Sequence, residues 1–120
     1  AQAASDAEAG AAPLELIALG HERKNGTLAI SGLVRNPNAG RTVNALNAVV
    51  FLFDREGTML ASSRAGVDYT QLTPGGESPF VIRVTAPATV ARYRVSFRTA
   101  EGVVAHIDRR GQQPIAREVP

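Results

Sequence analysis

The chain has 120 residues, enough for one domain and hardly for two, and long enough to bury a core without metals or disulfides. It has no cysteine, which removes disulfide frameworks, thiolate zinc sites and cysteine nucleophiles together. Thirteen Lys and Arg against eleven Asp and Glu leave a net charge of +2, too small by itself to imply nucleic acid or an anionic membrane.

Residues 1–13, AQAASDAEAGAAP, are small and polar with no apolar period, the composition of a flexible N-terminal linker. They hold no initiator Met and no basic stretch leading into a hydrophobic one. A chain whose leader has been removed starts this way, as does a chain begun at a chosen boundary. The expectation taken forward is an exported bacterial protein, with the domain in the periplasm or at the cell surface.

LELIAL (Leu14 to Leu19) predicts the first strand. Asn25-Gly26 follows, the pair best suited to the positive φ angles of a two-residue hairpin turn. TLAISGLVR then sets Leu28, Ile30, Gly32 and Val34 against Ala29, Ser31, Leu33 and Arg35. Gly32 in mid-strand predicts a bulge or the close approach of another backbone. NPNAGR ends the strand at Pro37 and Gly40.

The next stretch, NALNAVVFLFDREG (Asn44 to Gly57), holds nine uncharged residues from Ala45 to Phe53. That is half of the roughly 20 a membrane helix needs, so no span is expected and a strand is predicted, closed by a hairpin at Gly57. Leu46, Ala48, Val50 and Leu52 share one face; Ala45, Asn47, Val49, Phe51 and Phe53 share the other. Both faces are apolar.

TMLASSRAGVDY is a weaker strand of mixed polarity, interrupted by Gly66. In LTPGGES the pair Pro74-Gly75 matches the corner positions of a type II turn. PFVIRV turns Phe80, Ile82 and Val84 inward against Val81 and Arg83. VARYRVSFRT sets Tyr93, Val95 and Phe97 against Arg92, Arg94, Ser96 and Arg98. VVAHIDR (Val103 to Arg109) predicts the last strand, and GQQPIAREVP, residues 111–120, a C-terminal tail. No segment carries a helical period with caps. Seven short strands at this spacing predict an all-β, immunoglobulin/fibronectin-III-like antiparallel β-sandwich over residues 14–110.

Within that pattern Gly32, Val34 and Asn36 are followed by Leu52, Asp54 and Gly57, then by Leu72, Pro74, Gly75, Phe80 and Ile82. In order and spacing these resemble the FxLYD domain, a small bacterial and archaeal β-sandwich module. Val50 stands where that pattern has Phe, and Phe53 where it has Tyr. The resemblance covers about Leu28 to Val84. It implies a sandwich in an extracytoplasmic, modular setting and carries no catalytic residue. The matched positions themselves suit architecture: Asn36 and Asp54 can bond main chain where strands turn.

No acid, base and nucleophile can be assembled, so an enzyme is not expected, nor is a cofactor. His21 and His106 fall on the first and last predicted strands, which can be neighbours in such sandwiches. Their surroundings lack ligand spacing, and no metal site is expected. Two surfaces remain. The ridge Val49, Phe51 and Phe53 needs a cover. It is either internal, from the N-terminal strand, a tail or arginine stems laid across it, which is preferred, or another protein chain. That chain would be a second copy or a neighbouring domain of the parent polypeptide. The stripe Arg92, Arg94 and Arg98, with Arg83, Arg109 and Arg110 expected near it, suits an anionic polymer, a glycan or nucleic acid. Tyr93 and Phe97 point away from it, so it lacks rings to stack bases; a solvated strand face is the simpler reading, and nucleic acid is disfavoured. The leading functional expectation is a non-enzymatic accessory or interaction module.

Overall fold

An alternating strand with one apolar row can hide that row only against a second layer, and the molecule is built from two such layers. The computed structural model describes residues 12–110. Among them are ten strands and no helix: β1 (Leu14–Lys24), β2 (Thr27–Arg35), β3 (Val43–Asn44), β4 (Asn47–Phe53), β5 (Met59–Gly66), β6 (Gln71–Leu72), β7 (Glu77–Thr85), β8 (Arg92–Thr99), β9 (Gly102–Val104) and β10 (His106–Asp108). One sheet runs β10-β1-β2-β7 and the other β5-β4-β8-β9, with a two-residue ladder between β3 and β6. This is the predicted immunoglobulin/fibronectin-III-like sandwich.

The inward rows are the predicted ones. Leu28, Ile30 and Val34 of β2, Leu46 and then Ala48, Val50 and Leu52 of β4, Phe80 and Ile82 of β7, and Val95 and Phe97 of β8 are all buried. At the centre Phe80 and Phe97 meet edge to face across the two layers, with ring centroids 5.5 Å apart. Gly32 shows why that centre tolerates no side chain on β2. A Cβ there would stand 2.6 Å from both the Ala18 carbonyl oxygen and the Phe80 ring. The Ala18 carbonyl sits so close where Ile17 forms a bulge in β1, between the pairs Leu16–Val34 and Ala18–Leu33.

Turn chemistry follows the sequence as well. Asn25 and Gly26 have φ of 53° and 77°, and Gly57 and Gly75 have φ of 87° and 75°. Asp54 Oδ1 accepts the N–H groups of Glu56 and Thr58, both at 2.9 Å, which closes the β4–β5 hairpin. Asn36 is fully buried, and its Nδ2 donates to the carbonyls of Arg41 (2.7 Å) and Leu72 (2.9 Å). Its main chain exchanges bonds with Gly75 and Gly76. The first and third of the segments that carry the FxLYD-like residues thus meet in one clasp that holds loops, while the second, at Asp54 and Gly57, closes its own hairpin.

The last predicted strand is divided in two. β9 pairs antiparallel with β8, the chain passes through Ala105, and β10 then joins the other sheet parallel to β1, with His106 beside Leu14. Together with the short β3 and β6, this gives ten strands where about seven were expected, one pairing of them parallel. Alternation is identical on either side of Ala105, so nothing local announces the change of layer. Of the predicted linkers, residues 1–11 and 111–120 lie outside the described residues. Ala12 is described, and it exchanges two hydrogen bonds with the Asn38 side chain.

Candidate functional site

The two surfaces that the sequence presents separately are one. β4 and β8 are neighbours, and their register places Phe53 beside Arg92, Phe51 beside Arg94, Val49 beside Ser96 and Asn47 beside Arg98. On the other flank of β4, Val49 faces Arg64 and Phe51 faces Ser62 of β5, while Phe53 faces Met59. A register shift between Leu52 and Phe53 inserts its extra residue, Leu60, in β5, so Phe53 stays on the face of Phe51. The result is a single outer face of the second sheet.

Its cover is largely internal. Val49, Phe51 and Phe53 are half-buried. The Arg94 guanidinium carbon stands 5.5 Å from the Phe51 ring centre and 5.6 Å from that of Phe53, and Arg92 stands 5.9 Å from Phe53. Arginine on a ring face is held by the ring quadrupole, worth about 0.5–1 kcal/mol at exposed sites. The stacked guanidinium keeps its N–H edges free to bind an anion in a fork. The arginine face does hold aromatics: Tyr93 and Phe97 point inward, but Phe51 and Phe53 arrive from the next strand, while Arg83, Arg109 and Arg110 lie with the other sheet and not beside the stripe.

No acid answers these charges. Among the described residues, Arg64, Arg92, Arg94 and Arg98 form no ion pair, whereas Arg35 and Arg109 pair with Glu15 and Arg110 with Asp108. Of the acids in the adjoining turns, Asp54 is occupied in its hairpin and Glu101 accepts from the Thr99 hydroxyl at 2.9 Å, while the exposed Glu56 makes no ion pair with the face. Met59 and Val103, 56% and 73% exposed, extend the face at its β5 and β9 sides. Sequence reasoning missed Arg64, Met59 and Val103 because only lateral pairing brings them here.

The histidines do not meet. His106 pairs with Leu14 at the start of β1, whereas His21 pairs with Ile30 seven residues further along that strand. At roughly 3.3 Å per residue the separation exceeds 20 Å. His21 Nδ1 and the Tyr93 hydroxyl are hydrogen-bonded at 2.9 Å. His106 packs edge-on against Phe97, at 5.1 Å between centroids, and burial pushes its pKa below the ordinary value of 6.5, with Asp108 opposing. Hydrogen bonding from Arg110 holds the Asp108 carboxyl down at about 2. Burial raises the Tyr93 phenol. No cluster of three or more His, Asp or Glu able to hold a metal occurs among the described residues. An open depression between the β4–β5 hairpin and the β7–β8 loop is lined by Asp54, Glu56, Thr89 and Val90 among others.

No family model matches the chain, and no curated protein does. Solved structures share its fold. IrmA from Escherichia coli is 11% identical with a TM-score of 0.53, the match covering 80% of this chain and 90% of that one. A DUF1425 family member from Shewanella sp. pv-4 is 14% identical with a TM-score of 0.51, over 72% of this chain and 78% of the other. Beta-glucuronidase 2 of Bacteroides uniformis is 16% identical with a TM-score of 0.58, but the match spans 80% of this chain and only 14% of the enzyme. At such identities the likeness is one of fold, shared with small bacterial β-domains and with a minor portion of a glycosidase.

Proposed function

We propose that this domain is a non-enzymatic accessory module of an exported bacterial protein, of the FxLYD kind, and that it works by docking a partner on the outer face of its second sheet. The observation that carries the reading is the juxtaposition of Val49, Phe51 and Phe53 with four arginines that no acid of the described domain neutralises. Interface cores are enriched in aromatics, Met and Arg and depleted in Lys, Asp, Glu and Ser; the strands of this face have the first three and no Lys, Asp or Glu, with Ser62 and Ser96 departing from the pattern. The fold shared with small bacterial β-domains supports a modular role. A placement outside the cytoplasm is part of the same proposal.

Cross-linking in the parent protein tests it. A photoreactive residue at Ser62, on this face, should trap a partner, and one at Ser31, on the opposite face, should not. Phe51→Asp should abolish the cross-link and keep a cooperative melt. Equal trapping at Ser31, or unfolding by Phe51→Asp, would remove the reading.

The second reading, an anionic polymer held by Arg92, Arg94 and Arg98, is favoured by the same unpaired charge. It ranks lower because Arg94 and Arg92 already lie against the rings that sugars or bases would stack on. Retention on heparin that fades with salt and with all three arginines changed to Ser would raise it.

A further inference from the structure

We propose that the occupant of this face is a short acidic segment of a protein, carrying carboxylates and apolar side chains together; the inference rests on the docking role assigned above. Charge excludes the simplest alternative, a second copy. A two-fold interface sets the same patch against itself, so Arg64, Arg92, Arg94 and Arg98 would meet four like charges with no carboxylate on β4, β5, β8 or β9 to answer them. Chemistry argues against sugars and bases, whose stacking planes are taken by guanidinium groups. What the face still offers is N–H forks and exposed apolar contact from Met59 and Val103. A carboxylate satisfies the first, and an aliphatic side chain the second.

Geometry sets the size. Arg92 and Arg94 lie two residues apart on one strand, a spacing of roughly 6.6–6.8 Å, which is also the spacing of alternate side chains in any extended peptide. Four strands at about 4.8 Å and seven residues at about 3.3 Å describe a face of roughly 19 by 23 Å, on the order of 400 Å². The length of that face matches an extended segment of about seven residues laid along the strands.

The experiment is an amide NMR titration of the full chain with three probes at low salt: a nine-residue peptide alternating Glu and Val, its Gln-for-Glu counterpart, and a heparin oligosaccharide of equal charge. The expected result is perturbation of β4 and β8 amides by the Glu peptide, with affinity about tenfold above the Gln peptide. A double change of Arg92→Gln and Arg94→Gln should lower that affinity about tenfold, and Arg83→Gln on the other sheet should leave it unchanged. If the Gln peptide binds the face as tightly as the Glu peptide, the docking role stands and the acidic-segment inference is overturned; if the oligosaccharide does, the inference is overturned and the anionic-polymer reading takes the place of protein docking. If Arg83→Gln weakens binding as much as the double change, the attraction is general charge and the inference also fails. If no probe perturbs β4 or β8, both the inference and the docking role fall.

Discussion

The outer faces of the two sheets obey the same alternation and end in opposite states. On the first, the outward row is small where β1 and β2 meet, with Ala18, Gly20, Ala29 and Ser31, and at one end a shared carboxylate closes the charge of two arginines, while Glu22 and Arg83 further along make no ion pair. Glu15 of β1 accepts from Arg35 of β2 at 2.9 Å and from Arg109 at 3.3 Å, just beyond β10, so one carboxylate spans three adjacent strands. On the second face, the arginines find phenyl rings instead of acids, and their charge stays open. Arginine content does not separate a structural tie from an available charge. What separates them is whether strand register places a carboxylate or a ring beside the guanidinium.

Substitutions can break or sharpen this contrast. The largest effect is expected where the first sheet is packed hardest. Gly32→Val puts its new side chain into the Ala18 carbonyl and the Phe80 ring, and should cost about 3 kcal/mol or prevent folding, read from denaturant midpoints. Phe51→Ala on the second face should cost about 1–2 kcal/mol, since it removes a half-buried ring together with the seat of Arg94. A cost near that of a core phenylalanine, about 3–5 kcal/mol, would instead mean that the ridge is part of the core.

Charge removal should then divide the faces cleanly. Glu15→Gln strips the shared acceptor from Arg35 and Arg109 and should destabilise by about 1 kcal/mol, discounted because both arginines are partly exposed. Arg94→Gln should change stability by no more than about 0.5–1 kcal/mol, the worth of its ring contacts, and show its effect in binding. If Arg94→Gln proved the more costly of the two in thermal melts, the distinction between tie and open charge would be lost.

The smallest effect is a pH dependence at the seam between sheets. Burial lowers the His106 pKa in the folded chain, so the unfolded chain binds more protons at and below the ordinary value of 6.5. Stability is therefore complete above that value and declines as pH falls through the lower folded pKa. His106→Gln should flatten this stretch of the melting curve against pH. Asp108 contributes in a separate range: its stabilisation is present above 3.8 and is lost as pH falls toward about 2. A variant whose profile matches that of the unmodified protein between pH 5 and 7 would place the titration elsewhere.

Much of this was legible in the chain. The inward rows, the hairpin at Asn25-Gly26, the closed turns at Asp54 and Pro74-Gly75, and the crowding at Gly32 all follow from residues and their nearest neighbours. The candidate surface was half legible. The Phe ridge and the Arg stripe were each visible as outward rows of their own strands, and arginine stems were one of the covers considered. Their union was not visible, because β4 and β8 are separated by nearly forty residues and no local pattern states which strands become neighbours. Nor was the passage through Ala105 from one sheet to the other, or the separation of the two histidines along β1.

The sequence by itself determined which side chains point in and which turns close, since alternation and positive-φ residues act through the backbone over a few bonds. Only the tertiary structure decided what lies beside what. Lateral pairing depends on how two twisted sheets stack over the Phe80–Phe97 contact, and that packing set arginines on phenylalanines at one face and a glutamate between arginines at the other.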